Sequence, residues 1–133
     1  MEDLLPSAQA AALWAGLCLL LLMVLSVLTV RQRQTHRIAI GDGGVKSVQR
    51  TSRAFGNAAE YIPAGMAVLA LMVLVGAPPL TVHLAGATLT LGRIAHAVGF
   101  SRNSGASAGR VGGMMVTYLF LLCSAVTLIF YAI

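Results

Sequence analysis

Four long apolar segments constrain this chain more than any other feature, because each is long enough to cross a lipid bilayer as a helix. A transmembrane helix needs about 20 mostly apolar residues. The segments run over Leu4–Val30, Ala54–Val75, Leu80–Phe100 and Val111–Ile133. Open strands would leave backbone groups unpaired in hydrocarbon, so each segment is expected to be helical. The sequence predicts an all-α integral membrane four-helix bundle, with residues 1–133 as a single domain.

Composition also favours lipid over water as the solvent. Hydrophobic residues make up 58% of the chain and charged residues only 10%, whereas about 25% are charged in a typical soluble domain. The first segment follows the acidic residues Glu2 and Asp3 and is far longer than the apolar part of a secretory signal, which is about 7–15 residues. We therefore expect it to be retained as a membrane span.

Several other classes of protein are disfavoured by where the basic residues and cysteines lie. The basic residues lie between apolar segments instead of clustering with aromatic residues on a folded surface, so nucleic-acid binding is not expected. Cys18 and Cys123 both lie inside apolar segments. Two such cysteines define no disulfide framework and match no metal-ligand spacing, so no metal site is expected.

Positive charge alternates between the connections and predicts the orientation. Eight of the nine Lys and Arg residues lie in residues 31–53 and 101–110, whereas the turn Gly76-Ala77-Pro78-Pro79 and the C-terminus have none. Cytoplasmic loops of membrane proteins collect Lys and Arg. We therefore predict that both basic connections are cytoplasmic and that both termini lie on the opposite side (N-out/C-out).

Ionisable residues inside the spans, namely Glu60, Arg93 and His96, need a partner or a water-filled cavity. Glu60 lies about six residues from the cytoplasmic start of the second span, and Arg93 about seven from the cytoplasmic end of the third. At a rise of about 1.5 Å per residue, both are roughly 10 Å deep from the same surface. We therefore expect these two side chains to be able to meet.

Helical spacing gathers the polar residues of each span on one face. The second span carries three of them at i, i+4 and i+7: Arg53, Asn57 and Glu60. The third span carries Arg93 and His96 at i and i+3. Two polar faces at matched depth predict a cavity open to the cytoplasm, with Arg31 and Arg110 at its mouth.

Two interpretations of this polar cluster follow from residue chemistry. Glu60 and Arg93 could form a structural ion pair that fixes helix packing. Alternatively, the cavity could bind a small anionic polar molecule, since arginines bind carboxylates with forked N–H donors. Asn57 and Glu60 could then bind an amide or ammonium group, and a nearby arginine could lower the pKa of a ligand thiol.

The motif Arg53-Ala-Phe-Gly-Asn57-Ala-Ala-Glu60-Tyr61-Ile-Pro63 resembles the second helix of the MAPEG family, the membrane-associated proteins in eicosanoid and glutathione metabolism. The run Gly92-Arg93-Ile-Ala-His96-Ala-Val-Gly99 resembles the Arg-x-x-His stretch of the third helix in this family. The loop Gly41-Asp42-Gly43-Gly44 resembles that of bacterial members, and the likeness extends over essentially the whole chain.

This resemblance implies a homotrimer in a bacterial inner membrane, with glutathione as co-substrate bound at subunit interfaces near the cytoplasmic face. It implies a transferase or peroxidase whose second substrate is a lipophilic small molecule from the bilayer, with membrane lipids as further partners. Arg110 would be the catalytic, thiolate-stabilising residue. The residues implied to contact glutathione or to support its pocket are Arg31, Arg53, Asn57, Glu60, Tyr61, Arg93 and His96.

Departures from the family pattern keep other functions open. Phe100 stands where prostaglandin- and leukotriene-forming members carry tyrosine, and Val111 and Met114 replace serine and tyrosine, so eicosanoid synthesis is not expected. The chain could be a non-catalytic membrane protein that binds lipid or a partner. A small four-helix transporter is the other alternative, although such transporters usually carry a carboxylate in the first helix, where this chain has none between Leu4 and Val30.

Overall fold

The computed structural model describes residues 4–102, 105 and 107–133, and this part of the chain folds into four α-helices. They are α1 (Leu5–Thr35), α2 (Lys46–Leu74), α3 (Pro79–Arg102) and α4 (Ala108–Ala132). The predicted all-α, four-helix class is confirmed. Glu2, Asp3 and part of the predicted loop over residues 101–110 lie outside the described residues.

Both α1 and α2 extend beyond the apolar segments that predicted them. α1 continues five residues past Val30, and α2 begins eight residues before Ala54. The predicted basic linker over residues 31–53 is therefore too long, because the non-helical stretch covers only residues 36–45. The hydropathy pattern ends at the first charged residue, whereas Arg, Gln and Lys favour helix wherever their head groups reach water.

The turn between α2 and α3 ends one helix and starts the next within four residues. Gly76 has a φ of +79°, the left-handed conformation that favours glycine. The N–H of Gly76 donates to Val73 O at 3.0 Å and that of Ala77 donates to Met72 O at 2.9 Å, which is a Schellman motif. Pro79 then begins α3, where its missing N–H has no helical partner to lose.

α3 is the central helix, and it packs against each of the other three. Val82 and Leu89 of α3 and Ile62 of α2 are fully buried, and the Phe120 side chain of α4 is only 1% exposed. The approach of α4 is especially close at Gly113, where an added Cβ would collide with the backbone nitrogen of His96. This close contact holds the polar residues of α3 beside those of α4.

Within the described residues, three helices, α1, α2 and α4, are long and apolar enough to cross a membrane. Their outer faces carry exposed large side chains such as Leu20, Met23 and Leu122. α3 has 24 residues, about 36 Å at 1.5 Å per residue, which exceeds a hydrocarbon core of about 30 Å. Its hydropathy is reduced by the polar residues that it carries into the bundle.

Candidate functional site

A cavity of about 440 Å³ opens where α2 begins, α3 ends and α4 begins. Polar side chains line it mainly from α2, and apolar side chains mainly from α4. The lining residues are Ser52, Arg53, Gly56, Asn57, Glu60, His96, Phe100, Arg110, Val111, Met114 and Met115. This volume lies within the range of about 300–1,000 Å³ that is usual for small-molecule sites.

Five of the eight residues singled out from the sequence line this cavity: Arg53, Asn57, Glu60, His96 and Arg110. The first three occupy one face of α2 because their spacing is i, i+4 and i+7. The remaining two come from α3 and α4. The structure thus brings together, from three helices, residues that are up to 57 positions apart in the chain.

Arg93 lies behind the cavity wall and is only 1% exposed. Its Nη1 donates to Asn57 Oδ1 at 2.8 Å, and its Nε donates to Thr117 Oγ1 at 3.0 Å. Its Nη2 contacts Met114 Sδ at 3.5 Å. A buried cation is therefore satisfied by neutral acceptors drawn from α2 and α4.

The predicted contact between Glu60 and Arg93 is wrong. Among the described residues Arg93 bonds to Asn57, while Glu60 is exposed on the cavity wall. Side chains three residues apart point about 60° away from each other around the helix axis. Asn57 therefore faces α3, whereas Glu60 does not. The rotation of α2 about its axis thus presents the amide of Asn57, and not the carboxylate of Glu60, to Arg93.

Tyr61 also lies behind the wall, where its ring centroid is 5.0 Å from Arg93 Cζ. This distance allows a cation–π interaction with the buried guanidinium. Tyr61 is therefore placed to support Arg93, whereas the resemblance implied direct contact with a ligand.

Arg110 is held against an aromatic ring at the start of α4. Its Cζ lies 3.9 Å from the ring centroid of Phe100, and that ring packs at 5.4 Å against His96. Ser107 caps the helix, since its Oγ accepts the Arg110 N–H at 3.3 Å and donates to Gly99 O at 3.2 Å. Phe100, a departure from the family pattern, thus provides the surface on which Arg110 stacks.

Arg31 is the predicted site residue that lies apart from the others. It is exposed near the end of α1 and is not among the residues that line the cavity of this single chain. α1 packs against α2 and α3, while the cavity is enclosed by α2, α3 and α4. The predicted position of Arg31 at the mouth is therefore not found within one described chain.

Thr117 is the contributor that sequence reasoning missed. It lies seven residues after Arg110 on α4, is fully buried, and accepts the Nε–H of Arg93. A hydroxyl in an apolar helix carries little signal by itself. Two signals together could have predicted its role. Thr117 is two helical turns after Arg110, and the buried guanidinium of Arg93 needs a hydrogen-bond acceptor.

The electrostatic character of the site is positive. Arg53 and Arg110 line the cavity and Arg93 lies directly behind it, while Glu60 is the carboxylate on the described wall. Three guanidinium groups against one carboxylate favour an anionic ligand, and the exposed carboxylate offers a place for a cationic group on the same molecule.

Comparison with known proteins agrees with the resemblance seen in the motifs. The sequence matches the MAPEG family over residues 11–130. It is 38% identical over 123 residues to the inner membrane protein YecN of Escherichia coli strain K12, covering 92% of each chain. YecN of Escherichia coli O6:H1 strain CFT073 has the same identity and coverage.

Proposed function

The chain belongs to the MAPEG family, and from this membership we propose that it is a membrane-embedded, glutathione-dependent transferase or peroxidase. Glutathione binds in the cavity, near the cytoplasmic face, and the second substrate is a lipophilic electrophile or lipid hydroperoxide from the bilayer. Because the relative YecN is named as an inner membrane protein, we assign this chain to a bacterial inner membrane. The observation that carries the assignment is the convergence of five predicted side chains on one cavity.

The wall of the cavity is chemically suited to glutathione. The tripeptide carries two carboxylates, one ammonium group and a thiol. Arg53 and Arg110 can bind carboxylates through forked N–H donors, and the exposed carboxylate of Glu60 can accept from the ammonium group. The net positive charge of the site also attracts a molecule that is anionic at neutral pH.

Arg110 is the residue that we assign to the thiol. It lies in the first turn of α4, where unpaired backbone N–H groups add partial positive charge. A guanidinium and a helix N-terminus together lower the pKa of a ligand thiol and increase the fraction of thiolate, which is the reactive form.

Two reactions are consistent with a thiolate in this position. In conjugation, the sulfur bonds to an electrophilic carbon and the leaving group departs with the bonding electron pair. In peroxide reduction, the thiolate attacks the terminal peroxide oxygen, the O–O bond breaks, and the lipid leaves as an alcohol after taking up a proton. A second glutathione then converts the sulfenic acid to the disulfide and water.

The α4 side of the cavity provides an approach for the lipophilic partner. Val111 and Met115 line the cavity and are also 54% and 61% exposed. Apolar side chains that are exposed on a membrane helix face acyl chains. A molecule dissolved in the bilayer can therefore reach the thiol beside α4 while the tripeptide enters from water.

Topology and assembly form part of the same proposal. The four helices cross the membrane with both termini outside and the basic connections in the cytoplasm, and the protein is a homotrimer. Arg31 is exposed on α1 and does not line the cavity of its own chain. It is therefore available to the cavity of a neighbouring copy, which supports a site shared between subunits. Native mass spectrometry from lipid nanodiscs is expected to show trimers; monomers with full glutathione affinity would contradict the shared site.

Calorimetric titration of glutathione into the purified protein in nanodiscs tests the binding step. We expect saturable binding, weakened at least about tenfold by either substitution: Arg53→Ala removes a hydrogen-bond donor to a ligand carboxylate, and Glu60→Gln removes the negative charge that pairs with the ligand ammonium group. Arg102→Ala is the matched control, because Arg102 is exposed on α3 and absent from the cavity lining. Absence of glutathione binding in both detergent and lipid would overturn the assignment.

Ultraviolet absorbance of the bound thiolate tests the role of Arg110. We expect the thiolate signal in the unmodified protein and its loss in Arg110→Ala at saturating glutathione. An unchanged signal would show that Arg110 does not stabilise the thiolate.

Other outcomes would redirect the function. Copurified lipid without glutathione affinity would support a non-catalytic protein that binds lipid or a partner. Proton-coupled uptake into vesicles that is lost in Glu60→Gln would support a small four-helix transporter.

A further inference from the structure

Arg93 determines which atoms Asn57 offers to the cavity. A guanidinium has five N–H donors and no acceptor, so the atom of Asn57 that faces it must be oxygen. The structure has this arrangement, with Nη1 donating to Oδ1 at 2.8 Å. In a planar amide the nitrogen lies on the other edge from the oxygen, so the bond to Arg93 leaves the NH₂ group of Asn57 free to face the cavity that this residue lines.

The surroundings of Arg93 fix this arrangement. The Nε–H donates to Thr117 Oγ1 at 3.0 Å, and the Thr117 hydroxyl donates in turn to Gly113 O at 2.9 Å. Because the proton of Thr117 is used by a backbone carbonyl, its oxygen can only accept from Arg93. The ring of Tyr61 covers the guanidinium, with its centroid 5.0 Å from Arg93 Cζ, and the Arg93 side chain is only 1% exposed.

We propose that Arg93 is a positioning residue that holds Asn57 as a hydrogen-bond donor toward the cavity, so that the ligand must place a carboxylate or carbonyl oxygen there. That this ligand is glutathione rests on the proposed function. Arg53 and Arg110 are obligate donors as well, whereas Glu60 accepts. The carboxylates and carbonyls of the ligand therefore lie toward the arginines and Asn57, and its ammonium group lies at Glu60.

This assignment narrows what Asn57 can do. An asparagine with free rotation could accept from an ammonium group or donate to a carboxylate. With its oxygen held by a buried cation, Asn57 retains the second role alone. The same bond polarises the amide and strengthens its N–H donors.

Substitutions of Asn57 separate a donor role from a structural one. Asn57→Asp keeps an acceptor for Arg93 and makes that bond charge-assisted, but it removes the donor and places negative charge beside the ligand carboxylate. We expect Asn57→Ala to weaken glutathione binding about tenfold and Asn57→Asp about a hundredfold. If Asn57 serves only to satisfy Arg93, Asn57→Asp will bind as the unmodified protein does, and the donor assignment is wrong.

A double-mutant cycle tests the link to Arg93. In Arg93→Met the amide is free to turn, so adding Asn57→Ala is expected to cause much less than its tenfold loss. Fully additive losses would overturn the positioning role. If Arg93→Met does not fold, Arg93→Lys provides the test, because it retains a cationic donor and should preserve the full effect of Asn57→Ala; loss of that effect would contradict the proposal.

A second probe, glutarate, separates failure of this inference from failure of the proposed function. This dicarboxylate has no thiol. If glutarate binds with the same ranking of Asn57 variants but glutathione does not bind, the donor assignment holds and the glutathione function fails. If glutathione binds and Asn57→Asp has no effect with either probe, the function holds and the donor assignment fails. If neither probe binds, both are wrong.

Discussion

At the scale of single residues, the buried guanidinium of Arg93 imposes the strongest local requirement on the bundle. A charge in a poorly solvated interior is unfavourable unless its donors are used. Arg93 directs each of its nitrogens to a different partner, on Asn57, Thr117 and Met114. Loss of one acceptor therefore leaves a charged N–H without a substitute.

Replacement of Thr117 by valine tests this requirement at nearly constant volume. We expect Thr117→Val to lower the free energy of unfolding by about 1–3 kcal/mol, because the Nε–H of Arg93 loses its acceptor in a buried site. Denaturant titration in detergent micelles, followed by helical circular dichroism, measures the change.

Thr127→Val on the same helix is the control for that substitution. The Thr127 hydroxyl bonds to Cys123 O of its own helix, so its replacement should change stability by less than about 0.5 kcal/mol. Equal effects of the two substitutions would mean that the Arg93 network contributes nothing specific.

Single residues also mark where sequence reasoning ends. Spacing alone places Arg53, Asn57 and Glu60 on one face, and the structure confirms that all three share a cavity wall. Spacing does not say which of them faces the arginine of the next helix, since that depends on how α2 is rotated about its axis. Thr117 was missed for a related reason, because most helical threonines bond to their own backbone, as Thr127 does.

At the scale of elements, the contact between α3 and α4 decides the geometry of the site. α4 brings Arg110 and Thr117 to residues of α3, and Gly113 permits the approach by presenting no side chain to His96. Gly109 and Gly113 stand four residues apart, a small-xxx-small spacing that permits close packing of membrane helices. It could not identify α3 as the partner, because any apolar helix presents a compatible surface.

Adjacent glycines on α4 provide a matched test of that contact. Gly113→Ala should lower the free energy of unfolding by about 1–3 kcal/mol and weaken glutathione binding, because the added methyl must push α3 and α4 apart. Gly112→Ala meets no atom within 4 Å and should be neutral or stabilise by up to about 1 kcal/mol through helix propensity. Similar results for the two variants would show that the close contact is unimportant.

At the scale of the whole molecule, the number of crossings depends on α3. Hydropathy identifies α1, α2 and α4 as spans within the described residues, whereas α3 is predicted to cross from its length, its apolar run and the charge pattern of its flanks. The polar residues that α3 buries inside the bundle, among them Thr90, Arg93 and His96, lower its mean hydropathy, so composition gives a weaker signal for this helix than for its neighbours.

Labelling of introduced cysteines determines the topology. In a background with Cys18→Ala and Cys123→Ala, a membrane-impermeant maleimide should label Ile40→Cys and Gly105→Cys in inside-out vesicles and Pro78→Cys in right-side-out vesicles. All three positions are exposed, Ile40 by 92%. Labelling of Gly105→Cys from the same side as Pro78→Cys would mean that α3 does not cross.

The central position of α3 also bears on how the protein is made. An arginine within a nascent helix costs up to about 2.5–3.5 kcal/mol, the value for the helix centre, when that helix enters lipid from the translocon alone. The partners of Arg93 lie on α2, which is synthesised earlier, and on α4, which is synthesised later. We therefore expect α3 to wait beside the insertion machinery until α4 emerges, and the two to leave it together as a helical hairpin.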